Sequence, residues 1–113
     1  MYDELKKVWS EMTAPGQMFS INRQDVRGND LLCYENAPGS LRDLWLLSAG
    51  HAESDYLVYQ DERLTYAEAH RQVAALAASL AAMGVEPGDR VAIAMRNYPE
   101  WMLAYWAVVS MGA

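Results

Sequence analysis

A chain of 113 residues has room for about one domain, and 52% apolar with 21% charged residues is a globular composition rather than that of a disordered tail. A net charge of -6, with nine Lys and Arg scattered along the chain, argues against nucleic acid as a partner, which requires clustered positive charge. Cys33 stands alone, no basic-then-apolar segment opens the chain at Met1-Tyr2-Asp3-Glu4, and the apolar stretch Trp101 to Met111 is about half of what crosses a bilayer, so a reducing, cytoplasmic setting with no membrane span is expected.

The opening residues place Leu5, Val8, Trp9 and Met12 on one stripe of a short helix, broken by Thr13-Ala14-Pro15-Gly16. Such a stripe is expected to dock on its own protein. In residues 17–39, Phe19 and Ile21 alternate with polar neighbours, Arg27-Gly28-Asn29-Asp30 reads as a turn, Leu31 to Tyr34 as a return strand, and Pro38-Gly39 closes the segment. Ser40 is placed to cap a helix carrying Leu41, Leu44, Trp45 and Leu47, with Asp43 in its first turn and Gly50 past its end. A β-rich run, Tyr56 to Tyr59, reverses at Gln60-Asp61-Glu62 into a short strand, Arg63-Leu64-Thr65.

Thr65 and Glu68 form the Thr-x-x-Glu capping box, the best local signal in the chain, and open a helix from Tyr66 to Met83. Its apolar face reads Val73, Leu76, Ala77, Leu80 and Met83, while Ala74, Ala75, Ala78, Ala81 and Ala82 favour helix and permit close approach of a neighbour. Gly84 supplies the left-handed cap, and Glu86-Pro87-Gly88-Asp89 fits a type II turn. Val91 to Met95 has no alternation and is expected to be a parallel-type strand covered on both faces. Asn97 and Glu100 repeat the cap logic, with Pro99 early in a helix from Tyr98 to Met111 that is apolar nearly all round.

The order of elements ends at Met111-Gly112-Ala113, where a returning parallel strand is expected next. The sheet is therefore expected to be incomplete, and the isolated chain to self-associate with Trp101 and Trp106 at or near the contact.

No residue earns a catalytic, cofactor-binding or metal role. Gly84 and Gly88 flank a turn leading into a strand, whereas a phosphate loop leads from a strand into a helix. His51 and His70 fit no metal or triad pattern and read as a loop residue and a helix-surface residue. Asp61-Glu62, Glu86 and Asp89 lie in turns and read as solvated. Trp9, Trp45, Trp101 and Trp106 fall on apolar helical faces and read as packing. Arg96-Asn97 follows the strand end where ligands bind in open α/β sheets, yet a cap and a surface charge account for it.

The ordered set Arg63-Leu64-Thr65-Tyr66-Ala67-Glu68, Gly84-Val85-Glu86-Pro87-Gly88-Asp89-Arg90-Val91-Ala92-Ile93 and Arg96-Asn97-Tyr98-Pro99-Glu100-Trp101 resembles the start of the AMP-forming acyl-CoA synthetases of the adenylate-forming superfamily. Residues 40–113 carry that resemblance closely, as the first α/β segment of a truncated AMP-binding domain. Residues 1–39, through Thr13-Ala14-Pro15-Gly16-Gln17 and Asp25-Val26-Arg27-Gly28, resemble the N-terminal extension of fatty-acid-CoA ligases.

The resemblance implies an α/β fragment of that fold (β-hairpin, helix, parallel-type strand, helix) and a parent enzyme using ATP, Mg and CoA. In that reaction a carboxylate attacks the α-phosphate to give an acyl-adenylate, and the CoA thiol then displaces AMP. The phosphate loop, the Mg and adenine segment, the ribose Asp and the mobile Lys of such enzymes have no counterpart among these residues, so no cofactor is expected to bind the chain alone. The alternative is a stand-alone interaction or assembly module without catalysis.

Overall fold

A computed structural model describes residues 1–113. The chain is α/β, with four α-helices and two separate antiparallel hairpins, and it divides into two compact units, Met1–Pro38 and Gly39–Ala113.

In the first unit, α1 (Tyr2–Met12) ends at Thr13, whose hydroxyl donates to the Trp9 carbonyl at 2.8 Å. A hairpin follows, β1 (Ile21–Val26) with β2 (Asn29–Tyr34). Its register pairs Val26 with Asn29, so the turn is Arg27-Gly28 alone, and Asn29 and Asp30 belong to the strand. Both turn residues have positive φ, 54° and 82°, the mirror-image turn whose twist suits a hairpin. Ser20, buried, donates its hydroxyl to the Glu35 carboxylate, and Glu35 N–H returns a bond to the Ser20 carbonyl at 2.9 Å. The expected stripe forms, but Leu5, Val8, Trp9 and Met12 are exposed, and this unit buries no apolar side chain at all.

The second unit holds the core. Ser40 caps α2 (Leu41–Leu47) by accepting the Asp43 N–H at 3.1 Å. The helix does not run on to Gly50. It tightens after Leu47 into a 3₁₀ turn over Ser48–His51, where the Ser48 hydroxyl is drawn to the Trp45 carbonyl at 2.6 Å.

Strands β3 (Asp55–Tyr59) and β4 (Glu62–Thr65) pair with a one-residue bulge at Tyr56, since Asp55 faces Thr65 while Leu57 faces Leu64. The reversal is Gln60-Asp61, with Gln60 at φ 52°, and Glu62 already belongs to the strand.

Helix α3 (Tyr66–Ala82) begins at the capping box: Glu68 N–H donates to the Thr65 hydroxyl at 3.2 Å, and Thr65 N–H to the Glu68 carboxylate at 2.9 Å. The two remaining N-terminal donors, on Tyr66 and Ala67, bond the carbonyls of Ser54 and Ala52. These bonds, backbone first and then the Thr65 hydroxyl, hold the Glu68 carboxyl below its ordinary range. A depressed folded-state pKa means the cap contributes fully above the unfolded carboxylate range and is lost as pH falls through the folded one. Thr65→Ala is expected to cost about 0.5 to 2 kcal/mol. Urea unfolding with an unchanged midpoint would show that the helix does not depend on this start.

At the far end, Val85 N–H reaches the Leu80 carbonyl and Gly84 N–H the Ala81 carbonyl, the paired bonds of a Schellman cap with Gly84 at φ 97°. Asp89 N–H then closes the Glu86-Pro87-Gly88-Asp89 turn on the Glu86 carbonyl at 3.1 Å, and Gly88 N–H bonds the Gly112 carbonyl at 2.7 Å. The turn therefore braces the C-terminus of α4 (Pro99–Met111).

Two expectations need correcting here. Val91 to Met95 forms no ladder, because no strand lies beside it; Val91 and Ile93 are half-buried while Ala92, Ala94 and Met95 are exposed, so neither face is fully covered. The cap of α4 is Tyr98 rather than Asn97, and it makes no side-chain cap bond, because tyrosine has no short side-chain acceptor to reach the first-turn N–H groups; Pro99 at the start of the helix has no N–H to satisfy.

The core consists of Trp45, Ala69, Val73, Leu103 and Ala107, with Tyr56, Leu57, Leu64, Leu76 and Trp106 packed around it. On α4, Trp101 and Trp106 are half-buried, and most of the large exposed apolar side chains lie instead on α1, the first hairpin and α2.

Candidate functional site

The densest chemistry in the second unit is an aromatic cluster built by four elements. Trp45 of α2 stacks on the His70 ring of α3 at 4.0 Å and on Trp106 of α4 at 4.9 Å, between centroids. The bulge in β3 brings the Tyr56 ring within 5.4 Å of Trp45 and 4.7 Å of Tyr66. Trp106 Nε1–H donates to the Tyr56 hydroxyl at 2.6 Å. Burial raises the Tyr56 pKa, the Trp106 bond opposes that shift, and Tyr66 adds to it, so the phenol stays protonated at neutral pH.

Sequence reading places His70 on the helix surface. The structure half-buries it against Trp45, with Nε2 3.0 Å from the Ser48 hydroxyl, and burial lowers its pKa. The pair has the spacing of a nucleophile and base, but not the proton arrangement. Ser48 has one hydroxyl proton, committed to the Trp45 carbonyl at 2.6 Å, so it accepts from His70 Nε2–H. A serine whose proton points away from the imidazole is not activated by it. The pair ties the 3₁₀ turn to α3. The nearest sequence signal was the i, i+3 spacing of Trp45 and Ser48, too common to single out.

A cavity of about 310 Å³ opens between the second hairpin, α3 and the start of α4, over Leu57, Leu64 and Leu103. Its charged groups are Glu62, Glu100 and Arg63, and Arg63 is already paired with Asp55 at 3.1 Å. Two carboxylates and an occupied guanidinium make a poor seat for polyphosphate.

The other sequence candidates stay apart. His51 is exposed, its ring centroid 5.9 Å from that of Tyr66. Asp89 accepts the Glu86 N–H at 2.8 Å and so fixes its own turn. Arg96 reaches only the Tyr98 hydroxyl at 3.4 Å, and Asn97 is exposed and caps nothing. Trp9 is exposed on α1. No group of three His, Cys, Asp or Glu stands close enough to share a metal ion, and no helix is long and apolar enough to cross a membrane.

Residues 47–113, the stretch holding the capping box, the braced turn and α4, match the family model described as AMP-binding enzyme. The chain belongs to that family. It is similar to the medium/long-chain-fatty-acid--CoA ligase FadD6 of Mycobacterium tuberculosis, 38% identical over 91 residues that cover 78% of this chain and 15% of that protein. It is also similar to the pyochelin synthetase PchE of Pseudomonas aeruginosa, 33% identical over 72 residues, 64% of this chain and 5% of that protein. A feruloyl-CoA synthase of Amycolatopsis is 50% identical over 50 residues, 44% of this chain and 10% of that protein. The chain thus spans about 15% or less of the length of these AMP-binding relatives. No solved structure gives a significant match.

Proposed function

We propose that this chain is the opening scaffold of an acyl-CoA synthetase, within an adenylate-forming fold, whose parent activates a carboxylic acid, a fatty acid in particular, with Mg-ATP and passes it to CoA. The observation that carries the fatty-acid reading is the reach of the FadD6 alignment. It covers 78% of the chain, more than residues 47–113 contain, so it extends back into β1 or beyond it. The aligned part of the first unit, β2 at least, supports reading residues 1–39 as the N-terminal extension of such a ligase.

The chemistry asks for groups that neutralise a crowded polyphosphate and align an anionic nucleophile with it. The residues described above supply instead the capped helices, the braced turn and the packed aromatic cluster on which such groups could be mounted. The unpaired Cys33 fits a reducing, cytoplasmic compartment. The remainder of the parent enzyme is the partner that would cover the exposed apolar faces.

Extending the coding sequence beyond Ala113 tests this reading. A Ser/Thr/Gly-rich loop ending in Lys within roughly the next hundred residues, and pyrophosphate release with fatty acids but not with amino acids, would support it. A stop codon directly after Ala113 would favour the stand-alone module.

Two further outcomes are expected of the 113-residue chain. Calorimetry with Mg-ATP should give no saturable heat, because no phosphate cradle or Mg ligand set is present among its residues; one-site binding in the micromolar range would refute this. Sedimentation over a wide concentration range should show dimers or larger species, driven by the unpaired 91–95 segment and the exposed Leu41, Leu44 and Leu47 of α2. A monomer that persists at high concentration would show that these surfaces tolerate water.

A further inference from the structure

The first compact unit, residues 1–38, is folded without an apolar core: its two buried residues, Thr13 and Ser20, are both polar. The bonds that close it are polar as well. The Thr13 hydroxyl donates to the Trp9 carbonyl, the Ser20 hydroxyl to the Glu35 carboxylate, and Asn22 Nδ2–H to that same carboxylate at 3.0 Å. On unfolding, such bonds exchange for bonds to water, so their net contribution is small against the entropy of ordering the segment.

Local structure does not make up the difference. Helix α1 has 11 residues, and isolated helices shorter than about 12 to 15 residues are marginal in water. Met1 gives it no side-chain cap, and no basic residue stands in its last turn. The hairpin β1–β2 is a two-stranded sheet on its own, again marginal by itself. Units below about 40 residues usually need a disulfide, a metal or a partner surface to fold. Cys33 is free, and no group of His, Cys, Asp or Glu is placed to hold a metal ion. A partner surface is the staple that remains.

The unit presents the matching faces. Leu5, Val8, Trp9 and Met12 form an exposed stripe on α1. A groove of about 410 Å³ opens beside the hairpin between Met18, Phe19, Tyr34, Ala37 and Pro38. Its one polar side chain is Asn36, whose amide is committed to the Gln17 and Met18 carbonyls, and no charged residue lines it. The occupant is therefore apolar. A lipid surface fits poorly, because the polar face of α1 sets Asp3, Glu4 and Glu11 against Lys6 and Lys7, where a helix lying on lipid is rich in Lys and Arg. The FadD6 alignment favours the same polypeptide: it includes β2, yet it spans only 15% of that protein, so this unit is matched in a chain most of whose length lies outside the aligned residues.

Resting on the parent reading given above, we propose that residues 1–38 fold on docking. The α1 stripe and the hairpin groove receive an apolar surface of the same polypeptide lying beyond Ala113, and in the 113-residue chain the unit opens independently of residues 39–113.

Hydrogen exchange followed by NMR tests this. In the 113-residue chain at low concentration, the amides of α1, β1 and β2 should exchange at least about tenfold faster than those of α3 and α4. Extending the chain past Ala113 by its own coding sequence should slow exchange in residues 1–38 at least about tenfold, at every protein concentration. Val8→Ser, at an exposed position, should leave the urea midpoint of the 113-residue chain unchanged and abolish the added protection in the extended chain, whereas Lys7→Ser on the polar face should leave both unchanged. Protection of residues 1–38 equal to that of α3 in a monomeric 113-residue chain would overturn the inference, since the unit would need no cover. Protection that rises with the concentration of the 113-residue chain would assign the surface to a second copy and overturn it too. An extended chain that releases pyrophosphate yet leaves residues 1–38 exchanging would overturn this inference alone; a stop codon after Ala113 would remove the parent reading and the occupant together.

Discussion

Trp45→Ala is expected to cost about 3 to 5 kcal/mol of unfolding free energy, the largest single-residue loss in the chain. Trp45 is 3% exposed and is the buried anchor of α2, which has no other buried residue. Its ring separates His70 from Trp106, so truncation opens a cavity and removes two stacked contacts at once. The loss is large against the roughly 5 to 15 kcal/mol that holds an ordinary domain together. Urea unfolding followed by far-UV circular dichroism measures it, with Trp45→Phe expected to recover part of the difference by keeping an aromatic ring in place. A loss below about 1 kcal/mol would show that α2 is not anchored through this residue.

What the sequence made legible follows a physical line. Elements fixed by local chemistry were readable: the Thr65–Glu68 box, the Ser40 cap, the Gly84 and Gly88 conformations and the Pro99 start all depend on residues within four positions of one another. Elements that need a distant partner were not. Val91 to Met95 has the composition of a covered strand, but a strand exists only beside its neighbour, and none is present here. The bulge at Tyr56 has no local signature either. Its consequence is long-range: it sets Tyr56 to meet Trp106, fifty residues away.

The same division explains the site. His70 reads as solvated from its own helix, because Trp45 and Ser48, which bury it, arrive from a different element.

The alanines of α3 give the sharpest case, and a prediction with it. Their number promises a close helix contact, but the periodic face alone did not say which of them meets it. Ala74, Ala75, Ala78, Ala81 and Ala82 are exposed, and so is Met83. The contact falls on Ala69, in line with Val73, Leu76 and Leu80, and on Ala107 of the facing α4; both alanines are 0% exposed. Ala107→Leu forces three added carbon atoms into a seam with no accessible surface, so α3 and α4 must separate or Leu103 and Val73 must leave their rotamers. The expected cost is about 1 to 3 kcal/mol. Ala78→Leu, on the exposed face of α3, is the matched control and should stay within about 0.5 kcal/mol of the parent chain. Differential unfolding in urea separates the two: equal midpoints for both variants would mean that the α3 and α4 backbones have slack at Ala107, and that the small residues there are not what sets their approach.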